Sequence, residues 1–335
     1  MTLKMQDDLI ESGQVTPARR FFKKETLVSF LVAFALLVFL FTRLDLDWAA
    51  LWRNITSSDP LLFLLAFVIY YFTFPIRGFR WLLLLNNIGL KRAKGIPIPS
   101  FMGLGHIIFL GWFGNCVVPA KLGDAYRGYL LKKEANVSFS STVGTIVAER
   151  VVDMVVLFSM MALAAFSFLG SSLSNIILQV LLAGGAMVIV LVLGLVFIWG
   201  LGQHQGRLPD ALQGMYSRFQ TGTFGSFRQL PMISALSILV WLMEAARLFY
   251  VTKALNLSLG LPFILFVSLA NSLLTAVPFT PGGLGLVEAG VVGLLVLSPA
   301  VDNEMAVSVA LLDRAISYWS LVGFGAIVFL FGNRH

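Results

Sequence analysis

Charge is what this chain most lacks. Of its 335 residues only 12% are charged, against about 25% in soluble domains, while 58% are hydrophobic. That deficit, together with long apolar runs, excludes an ordinary soluble fold and reads as a polytopic membrane protein. Cysteine is nearly absent. Cys116 alone forms no intrachain disulfide and reads as a small apolar side chain in a helix. With three histidines and one cysteine, little is left for metal chemistry, and neither a metal nor another cofactor is expected. A Walker loop, a dinucleotide fingerprint and a catalytic triad are all missing, so no catalytic residue is assigned. Without a soluble domain to carry a basic face, nucleic acid is not expected as a partner. The net charge of +7 reads instead as loop lysines and arginines that hold topology and touch anionic phospholipid headgroups.

An early apolar core with a cleavage site is also missing. The first 26 residues are polar and hold Arg19, Arg20, Lys23 and Lys24, which predicts a cytoplasmic N-terminal tail (1–26) ahead of a transmembrane domain (27–335). Six segments reach the roughly 20 residues that a spanning helix needs. They are Leu27–Leu44, Leu61–Leu85, Ser141–Phe168, Ile176–Gly200, Pro231–Leu255 and Met305–Phe331. Two further regions, Phe101–Lys133 and Pro262–Leu297, each place a Pro/Gly turn between two short helical runs. These are predicted to be re-entrant hairpins. Their turns fall at Pro119 and Gly123, and at Pro281, Gly282, Gly283 and Gly285. Irregular backbone at that depth is tolerated only under cover of protein or water. The positive-inside rule agrees, with Arg77–Lys94, Lys121, Lys132, Lys133 and the arginines of 201–230 on the cytoplasmic side and both termini inside. The predicted fold class is an all-α polytopic membrane protein, with six spanning helices and two re-entrant hairpins.

The two hairpins resemble each other. Pro119-Ala-Lys-Leu-Gly123 matches Pro281-Gly-Gly-Leu-Gly285, and an acid follows each, Asp124 and Glu288. An acid–arginine pair comes later in each half, Glu149-Arg150 and Asp313-Arg314, 27 and 29 residues after the last glycine of the motif. With the predicted topology, the halves (about 61–168 and 231–331) become an inverted repeat, an architecture suited to alternating access.

A central Arg, Lys or Asp costs about 2.5–3.5 kcal/mol to insert, whereas a Leu or Val returns only about 0.3–0.6. Glu149, Arg150 and Asp153 must therefore face protein or water. Arg150 and Asp153 lie three apart and are expected to pair, as are Glu244 and Arg247. Helical rise puts Glu149 and Asp313 each roughly 12 Å along their helices, near mid-depth. The candidate translocation residues are Lys121, Asp124, Arg127, Glu149, Arg150, Asp153, Glu288, Asp313 and Arg314. The plain alternative is that buried pairs only tie helices together. Asn115 and Asn271 read as packing or hairpin hydrogen bonds, and His106 as a helix–helix contact. The Gly282–Gly285 turn either exposes N–H groups to an anion or simply breaks a helix.

The stretches "NCVVPAKLGDAYRGYLLKK", "VSFSSTVGTIVAERVVDMVVL", "LTAVPFTPGGLGLVEAG" and "LLDRAISYW" together resemble the lysylphosphatidylglycerol synthase transmembrane, or flippase-like, family over residues 20–332. The resemblance covers the family's membrane part and not its aminoacyl-transferase domain. It implies a multi-pass protein of a bacterial or archaeal plasma membrane that moves a lipid across the bilayer. The headgroup phosphate would meet Lys121, Arg127, Arg150 and Arg314. Two alternatives stay open: an intramembrane lipid-modifying enzyme, and a non-transporting subunit of a separate lipid synthase.

Overall fold

The computed structural model describes residues 24–44, 46–118, 121–168, 174–203, 209–276 and 280–332. Nearly all of them are helical, and no strand occurs among them. The predicted tail, apart from its last three residues, and Pro119 lie outside the described residues.

Helix starts follow the capping chemistry written in the chain. Asp47 accepts a hydrogen bond from the Ala49 N–H and opens α2 (Trp48–Thr56), after α1 (Lys24–Arg43). Asp59 caps α3 (Pro60–Asn87) by accepting from Leu61 and Leu62, and Pro60 takes the first position, where a missing N–H does no harm. Ser100 caps α4 (Phe101–Val117). There follow α5 (Leu122–Ala135), α6 (Phe139–Phe168), α7 (Asn175–Gly202), α8 (Asp210–Gly225) and α9 (Leu230–Ala254). The chain then forms α10 (Leu261–Ala276) and α11 (Leu286–Leu295). Asp302 caps α12 (Asn303–Arg314), which passes through a π-helical turn, Ala315–Trp319, into α13 (Ser320–Gly332).

Helices occupy all six segments expected to span. Four are long and apolar enough to cross a bilayer: Pro60–Asn87, Asn175–Gly202, the continuous Leu212–Ala254 helix and Asn303–Phe331. The other two expected spans, α1 and α6, are not among these four. The outer surface is correspondingly oily. Only Ile177 and Gly184 of α7 are buried, while Val190 and Phe197 are about two-thirds exposed. In water such a face would be untenable, and in lipid it is solvated.

The centre is built on α3 against α9, the most extensive helix pair. Helix α4 lies on α3, and α10 lies on α6 and α9. The α4–α5 and α10–α11 pairs are short helices of 17 and 14, and 16 and 10 residues, folded back on each other. Their turns differ in mechanism. In the second, Gly282, Gly283 and Gly285 all take positive φ, a conformation that glycine adopts freely. In the first, the left-handed residue is Lys121, at φ 52°. Gly123 is instead a close-approach residue: a Cβ there would sit 1.9 Å from the Gly111 carbonyl oxygen of α4. Its N–H donates to Asn115 Oδ1 at 2.8 Å, so Asn115 does make the expected hairpin bond.

Candidate functional site

Two linked clusters of buried ions lie between the helices. In the first, Arg80 of α3 is fully buried and donates to Asp153 (2.5 and 2.9 Å), Glu149 (2.6 Å) and Ser237 (2.6 Å). Glu149 also accepts from Arg127 of α5 at 2.5 Å, and the Arg127 guanidinium lies 3.8 Å over the Trp81 ring. Arg150 makes a two-pronged bond to Asp124, at 2.8 and 3.1 Å. In the second, Arg314 donates to Glu288 at 2.7 Å and to the Gly282 carbonyl at 3.0 Å. Arg247 lies 3.0 Å from Asp313 and 3.2 Å from Glu244, and Asn271 also donates to Asp313. Arg77 of α3, one turn from Arg80, extends the second cluster by pairing with Glu244 of α9 at 2.9 Å.

The expected pairing of Glu244 with Arg247 is present, but Arg150 turns away from Asp153. A partner on another helix offers two-pronged geometry, which a neighbour three residues along one helix cannot match. The glycine turn is also already occupied. The Gly285 N–H donates to Glu288 Oε2 at 2.6 Å, so the protein's own carboxylate takes the place suggested for an anion.

A cavity of about 120 Å³ lies where the clusters and the two turns meet. Lys121, Arg150, Asp153, Gly282 and Arg314 line it, as do Glu244, Arg247, Trp112, Trp241, Tyr70 and Tyr318. Asp124, Glu288 and Asp313 sit behind their arginine partners, while Arg127 and Glu149 lie off the cavity wall. The Tyr318 hydroxyl, on the π-turn, donates to the Cys116 carbonyl at 3.0 Å and so ties that turn to the end of α4. Among the described residues no group of three or more His, Cys, Asp or Glu is arranged to hold a metal.

Arg77 and Arg80 had read as cytoplasmic topology markers, because they close an apolar run. They are instead 2% and 0% exposed and face inward. The available signal was their spacing: two arginines three apart on a helix already facing protein, like Glu244 and Arg247. The second cluster likewise needs Glu244 and Arg247, which the candidate set left out.

Apolar helices turned outward and charges gathered inward define an integral membrane protein with a polar interior. Within that class the chain belongs to the family described as the lysylphosphatidylglycerol synthase TM region, matched over residues 26–325. It is 38% identical to a UPF0104 membrane protein of Methanocaldococcus jannaschii over 67% of this chain and 95% of that one. It is 25% identical to a UPF0104 membrane protein of Methanothermobacter thermautotrophicus over 82% and 84% of the two chains. It is also 23% identical to the glycosyltransferase AglD of Haloferax volcanii, over 90% of this chain and 54% of that protein.

Proposed function

We propose that the protein is a flippase-like lipid transporter, with six spanning helices, two re-entrant hairpins and halves related as an inverted repeat. The carrying observation is the cavity between the two hairpin turns, lined by cations from both halves. The repeat is supported by pairing as well as by sequence. Asp124 and Arg150 are separated by 26 residues, and so are Glu288 and Arg314. Arg80 bonds to Glu149, the residue before Arg150, and Arg247 pairs with Asp313, the residue before Arg314. Arg77 and Glu244, each three residues before those arginines, meet each other. A headgroup enters the cavity while its tails stay in lipid, and one half rocks against the other. The bacterial or archaeal plasma membrane, with both termini cytoplasmic, is the setting this reading requires.

Transbilayer movement of fluorescent lipids in proteoliposomes tests the reading. Movement of at least one lipid among anionic, aminoacylated and polyprenyl-linked probes is expected, and failure of every probe overturns it. Arg150→Ala and Arg314→Ala should each slow movement while the protein still inserts. Wild-type rates in both would leave the pairs as structural ties.

The likeness to a protein named a glycosyltransferase favours one second reading, a lipid-modifying enzyme. This chain covers only 54% of that relative, whose transfer activity therefore has room to reside elsewhere. A modified lipid formed by purified protein, seen by mass spectrometry, would decide for the enzyme.

A further inference from the structure

Counting the buried charges sharpens what the cavity takes. The salt bridges described above join six arginines and six carboxylates, so the network closes at zero net charge. Lys121 stands outside it. It lines the cavity, and its ammonium makes no salt bridge or side-chain hydrogen bond with any described residue. It is also held in the left-handed conformation, uncommon for a residue with a Cβ.

Two more groups on the cavity wall lack partners. The indole Nε1 of Trp241 and the hydroxyl of Thr280 are buried, and neither has a hydrogen-bond partner among the described residues. An indole N–H only donates. A buried donor left unmet costs about 1–3 kcal/mol, so such groups point to an occupant that supplies acceptors. Lys121 therefore brings a positive charge with no salt-bridged carboxylate of its own to the wall that Trp241 and Thr280 also line.

We infer that the cavity selects a phosphodiester monoanion, the single-charge linkage shared by glycerophospholipids with a neutral headgroup and by polyprenyl phosphosugars. This rests on reading the cavity as a headgroup site and names the headgroup's charge. One negative charge cancels Lys121, and the two non-bridging oxygens accept from the ammonium, the indole and the hydroxyl. A diphosphate or phosphomonoester brings extra negative charge that must be buried without a cation. A lysylated headgroup brings a net positive charge beside Lys121. Both carry the desolvation penalty of an unpaired buried ion.

Binding to the purified full chain in detergent tests this, titrated with lipids of matched chain length. The probes are phosphatidylglycerol, phosphatidylethanolamine, lysylphosphatidylglycerol, phosphatidic acid, a polyprenyl phosphosugar and a polyprenyl diphosphate. One or both phosphodiester monoanions should bind at least about tenfold tighter than the other four, about 1.4 kcal/mol. Whichever of the two binds more tightly names the source. Lys121→Gln should erase the preference, Lys121→Arg should keep it, and Lys121→Glu should shift it toward lysylphosphatidylglycerol. Trp241→Phe should weaken the preferred lipid several-fold without changing the charge order. A flat order in the wild type, or an unchanged order in Lys121→Gln, overturns the assignment. The readout is binding alone. A selective binder that moves no lipid would refute transport and keep this inference, whereas an unselective transporter would do the reverse.

Discussion

At the scale of single residues, the membrane interior makes every charge conditional on its partner. Arg80 shows this most sharply, since it meets both Asp153 and Glu149 with no exposure to solvent. Removing one member of a buried pair leaves an uncompensated ion and costs about 3–5 kcal/mol, whereas replacing both by apolar groups of similar size is often neutral. Arg80→Ala should therefore lower stability by about that amount, seen as an earlier unfolding midpoint in detergent. Arg80→Met with Asp153→Leu should recover most of the loss, because Glu149 keeps Arg127. If the double substitution is no more stable than Arg80→Ala, the damage lies in packing around Trp81 and Ser237. Arg150 is different in kind, for its side chain stays 27% exposed at the cavity. Its loss should be felt in lipid movement before it is felt in folding.

At the scale of helices, backbones approach closely where glycine removes the side chain. Gly123 lets α5 fold against α4, and an added Cβ meets the Gly111 carbonyl at 1.9 Å, well inside contact distance. Neither backbone yields without moving its helix, so Gly123→Ala should destabilise the hairpin and lower the thermal midpoint. Gly194 of α7 is the matched control. Nothing lies within 4 Å of a Cβ there, and alanine is the better helix former by up to about 1 kcal/mol. Gly194→Ala should leave the midpoint unchanged or raise it. Equal effects of the two changes would contradict the close-approach role.

Much of this was legible beforehand, and the parts that were not share a cause. Apolar length marked the helices to within a few residues, because that signal is local. The acid–arginine doublets at 149–150 and 313–314 marked charges that had to be buried. Partner choice was not local. Arg80 finds Glu149 and Asp153 from 69 and 73 residues away, and spacing along one helix says nothing about such a match. Arg77 and Arg80 also satisfied the positive-inside rule numerically while sitting inside the helix, so the rule concealed them. Lys121 was visible as a charge. The lack of a carboxylate for it appeared only once the six arginines of the network had been given theirs.

At the scale of the whole molecule, the question is whether the two halves move against each other. One hydrogen bond at the cavity runs from Tyr318, on the π-turn, to the Cys116 carbonyl near the end of α4. Cys116 is the chain's single cysteine, is buried, and lines the cavity, so its thiol reports on access to that cavity. In the arrangement described here, a polar, membrane-impermeant thiol reagent should reach it slowly. Rocking of the proposed kind would open the cavity, and the labelling rate then follows the open population when opening is fast. Tyr318→Phe removes one hydrogen bond that holds the π-turn to α4, worth about 0.5–1.5 kcal/mol net, and should speed labelling by roughly two- to tenfold. A lipid held in the cavity should slow it again in both forms. The rate is measured by mass shift of the intact protein in proteoliposomes, with reagent added inside or outside. Alternating access predicts that both additions label Cys116 and that Tyr318→Phe shifts the ratio between them. Labelling from one side only, unaffected by lipid or by Tyr318→Phe, would mean a fixed pocket rather than a moving passage.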